Sequence, residues 1–135
     1  MKGLKGKTVV VTGASSGIGE ALARECAVQG ANVVLGARSL QKLQLIVGDI
    51  RSKGGEATYC AVDVTKPEEC RNLIDTAVGE YGGLDVLICN AGLSMRALFD
   101  DVDLEVLHRL MDVNFWGTVY CTTVSYTHLT LPTKA

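Results

Sequence analysis

Short runs of β-branched residues alternate with longer segments of helical period along this chain, and no other feature restricts its fold as tightly. Lys7–Thr12 (KTVVVT) is a Val-rich apolar run that stops at Gly13 and reads as a buried strand. Ala31–Ala37, Ala57–Val64 and Leu84–Asn90 repeat that reading. Between them, Gly17–Gln29 carries Ile18, Ala21, Leu22 and Cys26 at helical spacing and ends at Gly30. Ser39 is the expected cap of a second helix with Leu40, Leu43, Ile46, Val47 and Ile50 inward, ended by Gly54 and Gly55. Thr65 is the expected cap of a third, with Pro67 in its first turn, Glu68 and Glu69 favoured by the dipole, and an end near Tyr81. A last helix is expected over roughly Leu104–Cys121, with Leu104, Leu107, Leu110 and Met111 on one stripe.

Strand–helix–strand repetition requires crossover connections, so the strands run parallel and helices cover both faces. Strands buried on both sides are apolar throughout rather than alternating, as they are here. The expectation is an α/β fold, a Rossmann-type doubly wound parallel sheet represented by its amino-terminal part, with about four strands and four to five helices. Its ligand belongs at the carboxyl ends of the strands.

At 135 residues this is one domain, long enough to bury a real core. A net charge of −2 gives no field for nucleic acid or an anionic membrane, so neither is expected as a partner. No apolar run reaches 18 residues, and the start lacks the apolar stretch of a signal peptide. Five cysteines are an odd number without a C-x-x-C pair, and read as small buried residues in a reducing cytoplasm. His108 and His128 have no ligand-spaced neighbours, so no metal is expected.

Between the first strand and the first helix lies Thr12-Gly13-Ala14-Ser15-Ser16-Gly17-Ile18-Gly19. Gly13 allows a tight turn, Gly17 lets backbone N–H groups approach a diphosphate, and Gly19 permits close helix–strand packing. The helix mouth then offers unsatisfied N–H donors, joined by Ser15 and Ser16, and the positive end of a dipole.

This T-G-x-x-x-G-I-G turn resembles that of the short-chain dehydrogenase/reductase family, and three later motifs follow in family order. Asp63-Val64 is similar to the family's adenine-binding pair, Asn90-Ala91-Gly92 to its turn after the fourth strand, and Asn114 to its helix asparagine. Read as residues alone, Asp63 has the alternative of a cap of the next turn, Asn90-Ala91-Gly92 of a plain turn, and Asn114 of a solvent-facing residue. The resemblance implies a strand order 3-2-1-4. It also implies that the Asn114 neighbourhood bends its helix and holds a water of the proton relay through its backbone carbonyl. Cofactor choice falls at the end of the second strand, where an acid selects NAD(H) and a cation NADP(H). The segment Leu35-Gly36-Ala37-Arg38-Ser39 has no acid, and Arg38 with Ser39 suits a 2′-phosphate, so NADP(H) is favoured over NAD(H).

The family's Ser and Tyr-x-x-x-Lys are absent: Tyr59, Tyr81, Tyr120 and Tyr126 are followed four residues on by Asp63, Asp85, Val124 and Thr130. Residues 1–121 are therefore expected to be an incomplete NADP(H)-binding domain. Residues 122–135, with five threonines, are expected to be an atypical tail of the kind read-through into adaptor sequence leaves. The implied parent is a cytoplasmic, homo-oligomeric oxidoreductase acting on a small carbonyl or secondary alcohol. The alternatives are a module that binds NADP(H) without turnover and a nucleotide-sugar epimerase, the latter disfavoured by the turn spacing. Leu93-Ser94-Met95-Arg96-Ala97 is either part of a substrate pocket or a plain loop. Without further strands, Val86–Asn90 is expected to be an exposed apolar edge.

Overall fold

The computed structural model describes residues 3–93 and 102–129. Four parallel strands form one sheet in the order β3-β2-β1-β4, comprising β1 (Thr8–Thr12), β2 (Asn32–Ala37), β3 (Glu56–Ala61) and β4 (Val86–Ile88). The helices are α1 (Gly17–Val28), α2 (Leu40–Ser52), α3 (Pro67–Tyr81), α4 (Leu104–Met111) and α5 (Gly117–Ser125). A π-helical turn, Asp112–Trp116, joins the last two. The doubly wound α/β expectation holds, with the implied strand order.

Alternate residues of the central strand feed two cores, because successive side chains point to opposite faces. Val9 and Val11 pack with Ala23, Cys26, Leu43 and Val47 of α1 and α2. Val10 packs with Cys70, Leu73, Ile74 and Cys121 of α3 and α5. All five residues of β1 are buried, whereas all three of β4 are half-buried.

Several sequence expectations are corrected. The inward face of α1 is Gly19, Ala23, Cys26 and Ala27, while Ile18 is 73% exposed and Ala21 is exposed. Close approach to the sheet selects small residues for the inward face. Leu40 is likewise exposed, leaving Leu43, Ile46, Val47 and Ile50 as the buried face of α2. Thr65 does not cap α3; Lys66 holds that position and Pro67 is the first helical residue. The expected apolar stripe of α4 is only partly covered among the described residues: Leu107 and Leu110 are half-buried, Leu104 is 72% exposed, and Met111 is 53% exposed.

The helix expected to end near Cys121 runs on through Thr122 and Thr123 to a fully buried Ser125. The Ser125 hydroxyl bonds back to the Cys121 carbonyl, one turn earlier, so packing overrides weak threonine propensity. Of the cysteines, Cys26, Cys70 and Cys121 are buried, Cys60 and Cys89 half-buried, and all five are free thiols. Among the described residues no helix is long and apolar enough to cross a membrane.

Candidate nucleotide-binding site

The turn after β1 is held in place by the end of β4. The Thr12 side-chain oxygen, itself buried, accepts the backbone N–H groups of Asn90 and Ala91, each at 3.0 Å. Its hydroxyl donates to the Ile88 carbonyl at 3.5 Å. The Asn90 amide donates to the Gly13 carbonyl at 3.2 Å. Ala14 N–H donates to the Gly36 carbonyl at 3.1 Å, which fastens the same turn to the end of β2. The glycine turn and Asn90-Ala91-Gly92 are thus two halves of one structure, although 77 residues separate Gly13 from Asn90.

Two glycines are demanded by that interlock. Gly13 has φ +63°, and a Cβ there would lie 2.8 Å from the Ala91 Cα. A Cβ on Gly19 would lie 2.2 Å from the Gly13 carbonyl oxygen and 2.5 Å from the Asn90 amide nitrogen. Gly17 differs, since it faces open space at φ +57°. The Ser16 side chain makes no capping hydrogen bond to α1, so the first-turn N–H groups of this 12-residue helix have no side-chain acceptor. At α2, by contrast, the Ser39 hydroxyl accepts the Lys42 N–H at 3.4 Å.

A cleft of about 390 Å³ opens over the carboxyl ends of the strands. Of the residues expected from sequence, Gly13, Ser15, Ser16, Arg38, Ser39, Asp63, Val64, Asn90, Ala91 and Gly92 all line it. Gly17, Ile18 and Gly19 are not among its walls: Gly17 and Ile18 are exposed beside it, and Gly19 is packed beneath the turn. Leu93 is a wall, whereas Ser94, Met95, Arg96 and Ala97 lie outside the described residues. Sequence reasoning missed Lys42, Arg109 and Val113, which also line the cleft. It also missed the fastening role of Thr12. The signal for Thr12 was a hydroxyl at the last strand position before Gly13. The cations gave none, since solvent-facing helix positions carry Lys and Arg routinely.

Asp63 is tied down by Thr65, whose N–H and hydroxyl donate to one carboxylate oxygen at 3.0 and 2.7 Å. Burial disfavours its charge, but the two Thr65 bonds, with Lys66 and Arg38 nearby, prevail and hold the carboxyl below the usual carboxylate range. The turn-capping reading of Asp63 therefore describes one of its oxygens, while the residue still borders the cleft. Among the described residues three cations, Arg38, Lys42 and Arg109, and one carboxylate, Asp63, line the cleft, a balance that suits an anionic ligand.

Asn114 lies in the π-helical turn, whose five-residue spacing is visible in the Gly117 N–H bond to the Asp112 carbonyl. Its side chain grips the Leu93 backbone twice, accepting the N–H at 2.6 Å and donating to the carbonyl at 2.7 Å. Its backbone carbonyl accepts the Thr118 hydroxyl at 3.3 Å. The residue thus fastens the loop after β4 to the helix behind it, through bonds that the solvent-facing reading does not foresee.

A parallel sheet of this order, with a glycine turn opening a helix at its carboxyl edge, defines the Rossmann-type class of α/β proteins. The family profile described as short chain dehydrogenase matches residues 7–134, and the chain belongs to that family. An 11-beta-hydroxysteroid dehydrogenase of Pinus massoniana is 43% identical over 128 residues, covering 93% of this chain and 36% of that protein. A short-chain type dehydrogenase/reductase from Mycobacterium marinum superposes with a TM-score of 0.88 at 36% identity, over 93% of this chain and 51% of its own. A short chain dehydrogenase from Burkholderia cenocepacia, solved in complex with NADP, superposes with a TM-score of 0.87 at 33% identity, over 93% and 52%. The chain spans about a third of the length of the curated relative and about half that of the solved ones.

Proposed function

We propose that this chain is the NADP(H)-binding portion of a short-chain oxidoreductase whose whole form moves a hydride between the nicotinamide and a small carbonyl or secondary alcohol. The uncapped mouth of α1 at the edge of the cleft carries this reading. Its N–H donors have no side-chain acceptor from Ser16, Gly17 leaves them open to approach, and a diphosphate supplies the missing charge and acceptors. Arg38 and Ser39 border the same cleft where an adenosine ribose would end, with no acid in the segment Leu35–Ser39. That supports NADP(H) over NAD(H), as does the NADP complex of the Burkholderia cenocepacia relative.

When bound, the nicotinamide supplies or accepts the hydride. The chain's own residues hold its phosphates, place the adenosine against Asp63 and Val64, and fix the loop at Asn90-Ala91-Gly92. In this reading the Asn114 backbone carbonyl holds a water of the proton relay. No tyrosine here has a lysine four residues on, so the acid–base pair belongs to sequence outside these 135 residues, and this chain binds without turnover. The whole enzyme is a cytoplasmic homo-oligomer.

Quenching or enhancement of NADPH fluorescence by the 135-residue chain tests the reading. Gly17→Asp sets a carboxylate against the diphosphate and is expected to weaken NADPH at least about tenfold, more than the uncharged Gly17→Asn. Unchanged affinity in Gly17→Asp, or a folded unmodified chain that binds neither NADPH nor NADH, overturns it.

A further inference from the structure

Cys70 and Cys121 take no part in the cleft, yet they are buried together behind its wall. Both belong to the core that α3 and α5 form with the sheet, at 0% and 1% exposure. Val64, which lines the cleft, brings them to one place. The Cys70 thiol donates to the Val64 carbonyl at 3.4 Å. On α5, Gly117 packs so closely that a Cβ there would lie 2.7 Å from the Val64 side chain. Cys121 follows Gly117 by four residues and is buried with it, so it stands one turn further along the same face. With its own hydrogen given to Val64, the Cys70 sulfur accepts the Cys121 thiol. That donation holds the Cys70 thiol below its usual range, against burial and the charges of Asp63, Glu69 and Glu68. The same bond, with burial, pushes the Cys121 thiol up.

We propose that Cys70 and Cys121 are a redox-responsive dithiol, which a hydroperoxide converts to a disulfide between α3 and α5, loosening the cleft at Val64. The loosening rests on the dinucleotide reading of the cleft, and the disulfide does not. The Cys70 sulfur attacks the hydroperoxide, an S–O bond forms as the O–O bond breaks, and an alcohol or water leaves with the thiol proton. The Cys121 sulfur then attacks the Cys70 sulfur, and the S–S bond forms as water departs. The two thiols lose two electrons to the hydroperoxide. The Val64 carbonyl thereby loses the hydrogen that Cys70 gave it, directly behind the cleft wall. Burial makes the reaction slow, because the oxidant enters only as α5 opens from α3.

The 135-residue chain is treated with hydrogen peroxide, freed of it, and compared with the untreated chain by peptide mapping and NADPH titration. Cleavage after glutamate puts each of the five cysteines on its own peptide. A Cys70–Cys121 linkage is expected, reversed by dithiothreitol, with NADPH weakened about threefold in the oxidised chain. Cys121→Ala and the milder Cys121→Ser lack the resolving sulfur, and each is expected to give no linked peptide and no loss of affinity. A map with only unlinked peptides, or with linkage through Cys26, Cys60 or Cys89, overturns the dithiol. A Cys70–Cys121 linkage with unchanged NADPH affinity, or a loss as large in Cys121→Ala, overturns its connection to the cleft. A reduced, folded chain that binds neither NADPH nor NADH overturns the dinucleotide reading, and the peptide map still decides the disulfide.

Discussion

β1 and β4 lie side by side in one sheet and are built from the same kind of residue, yet the interior claims them unequally. Val9, Val10 and Val11 are fully buried, while Val86, Leu87 and Ile88, their register partners, are half-buried. Composition does not separate the two strands. Position does: β1 is paired on both edges and covered on both faces, and β4 is paired among the described residues only with β1. The helices show the same contrast. α2 buries Leu43, Ile46, Val47 and Ile50, whereas α4, no less apolar in Leu104, Leu107, Leu110 and Met111, buries none. Burial belongs to a place in the fold, and the residue type only makes a segment eligible for it.

The sharpest way to break the well-buried half is at Gly19, where an added Cβ meets the Gly13 carbonyl at 2.2 Å and backbone on both sides must move. Gly19→Ala is expected to destabilise by about 3 kcal/mol, read as a lowered urea midpoint, and to weaken NADPH as the turn shifts. A midpoint within experimental error of the unmodified chain contradicts the interlock of the glycine turn with Asn90. A matched pair of truncations tests the strand contrast directly. Val10→Ala in β1 is expected to cost roughly 2–3 kcal/mol and Leu87→Ala in β4 about 1, although leucine loses more carbon. Equal losses would mean that β4 is as enclosed as β1.

The smallest effect is expected at Thr65, whose hydroxyl helps keep Asp63 charged beside the cleft. The folded-state pKa of Asp63 is depressed, so its contribution to stability is present above the unfolded value, near 4, and is lost as pH falls through the folded one. Thr65→Val is expected to cost about 0.5 kcal/mol at neutral pH and to flatten the acid limb of the stability profile below about pH 4. An acid limb as steep as that of the unmodified chain excludes this source of Asp63 stabilisation.

Much of the cleft's lining could be read from the sequence, because the features that mark it are local. Gly13-Ala14-Ser15-Ser16-Gly17 acts through backbone geometry within five residues, and a strand before it with a helix after it suffices to aim the N–H groups. Arg38 was legible for the same reason, standing where the second strand must end. Lys42 and Arg109 were not, since on a helix only the neighbouring elements decide whether an exposed cation overlooks solvent or a cleft. Asn114 was legible as unusual but not in its action, for its bonds reach 21 residues back to Leu93. The outward turn of Ile18 and Leu40 was hidden too, because helical spacing alone did not show how closely each helix sits against the sheet.

By itself, the sequence determined the parallel α/β alternation and the place of the glycine turn. Both follow from periodicity and backbone sterics acting over a few residues. Only the tertiary structure decided which apolar faces are covered and how Thr12, Asn90 and Gly19 lock together. It likewise brought Arg38, Lys42 and Arg109 to one opening. Those outcomes depend on contacts between segments tens of residues apart, where the close approach of one backbone to another sets what fits.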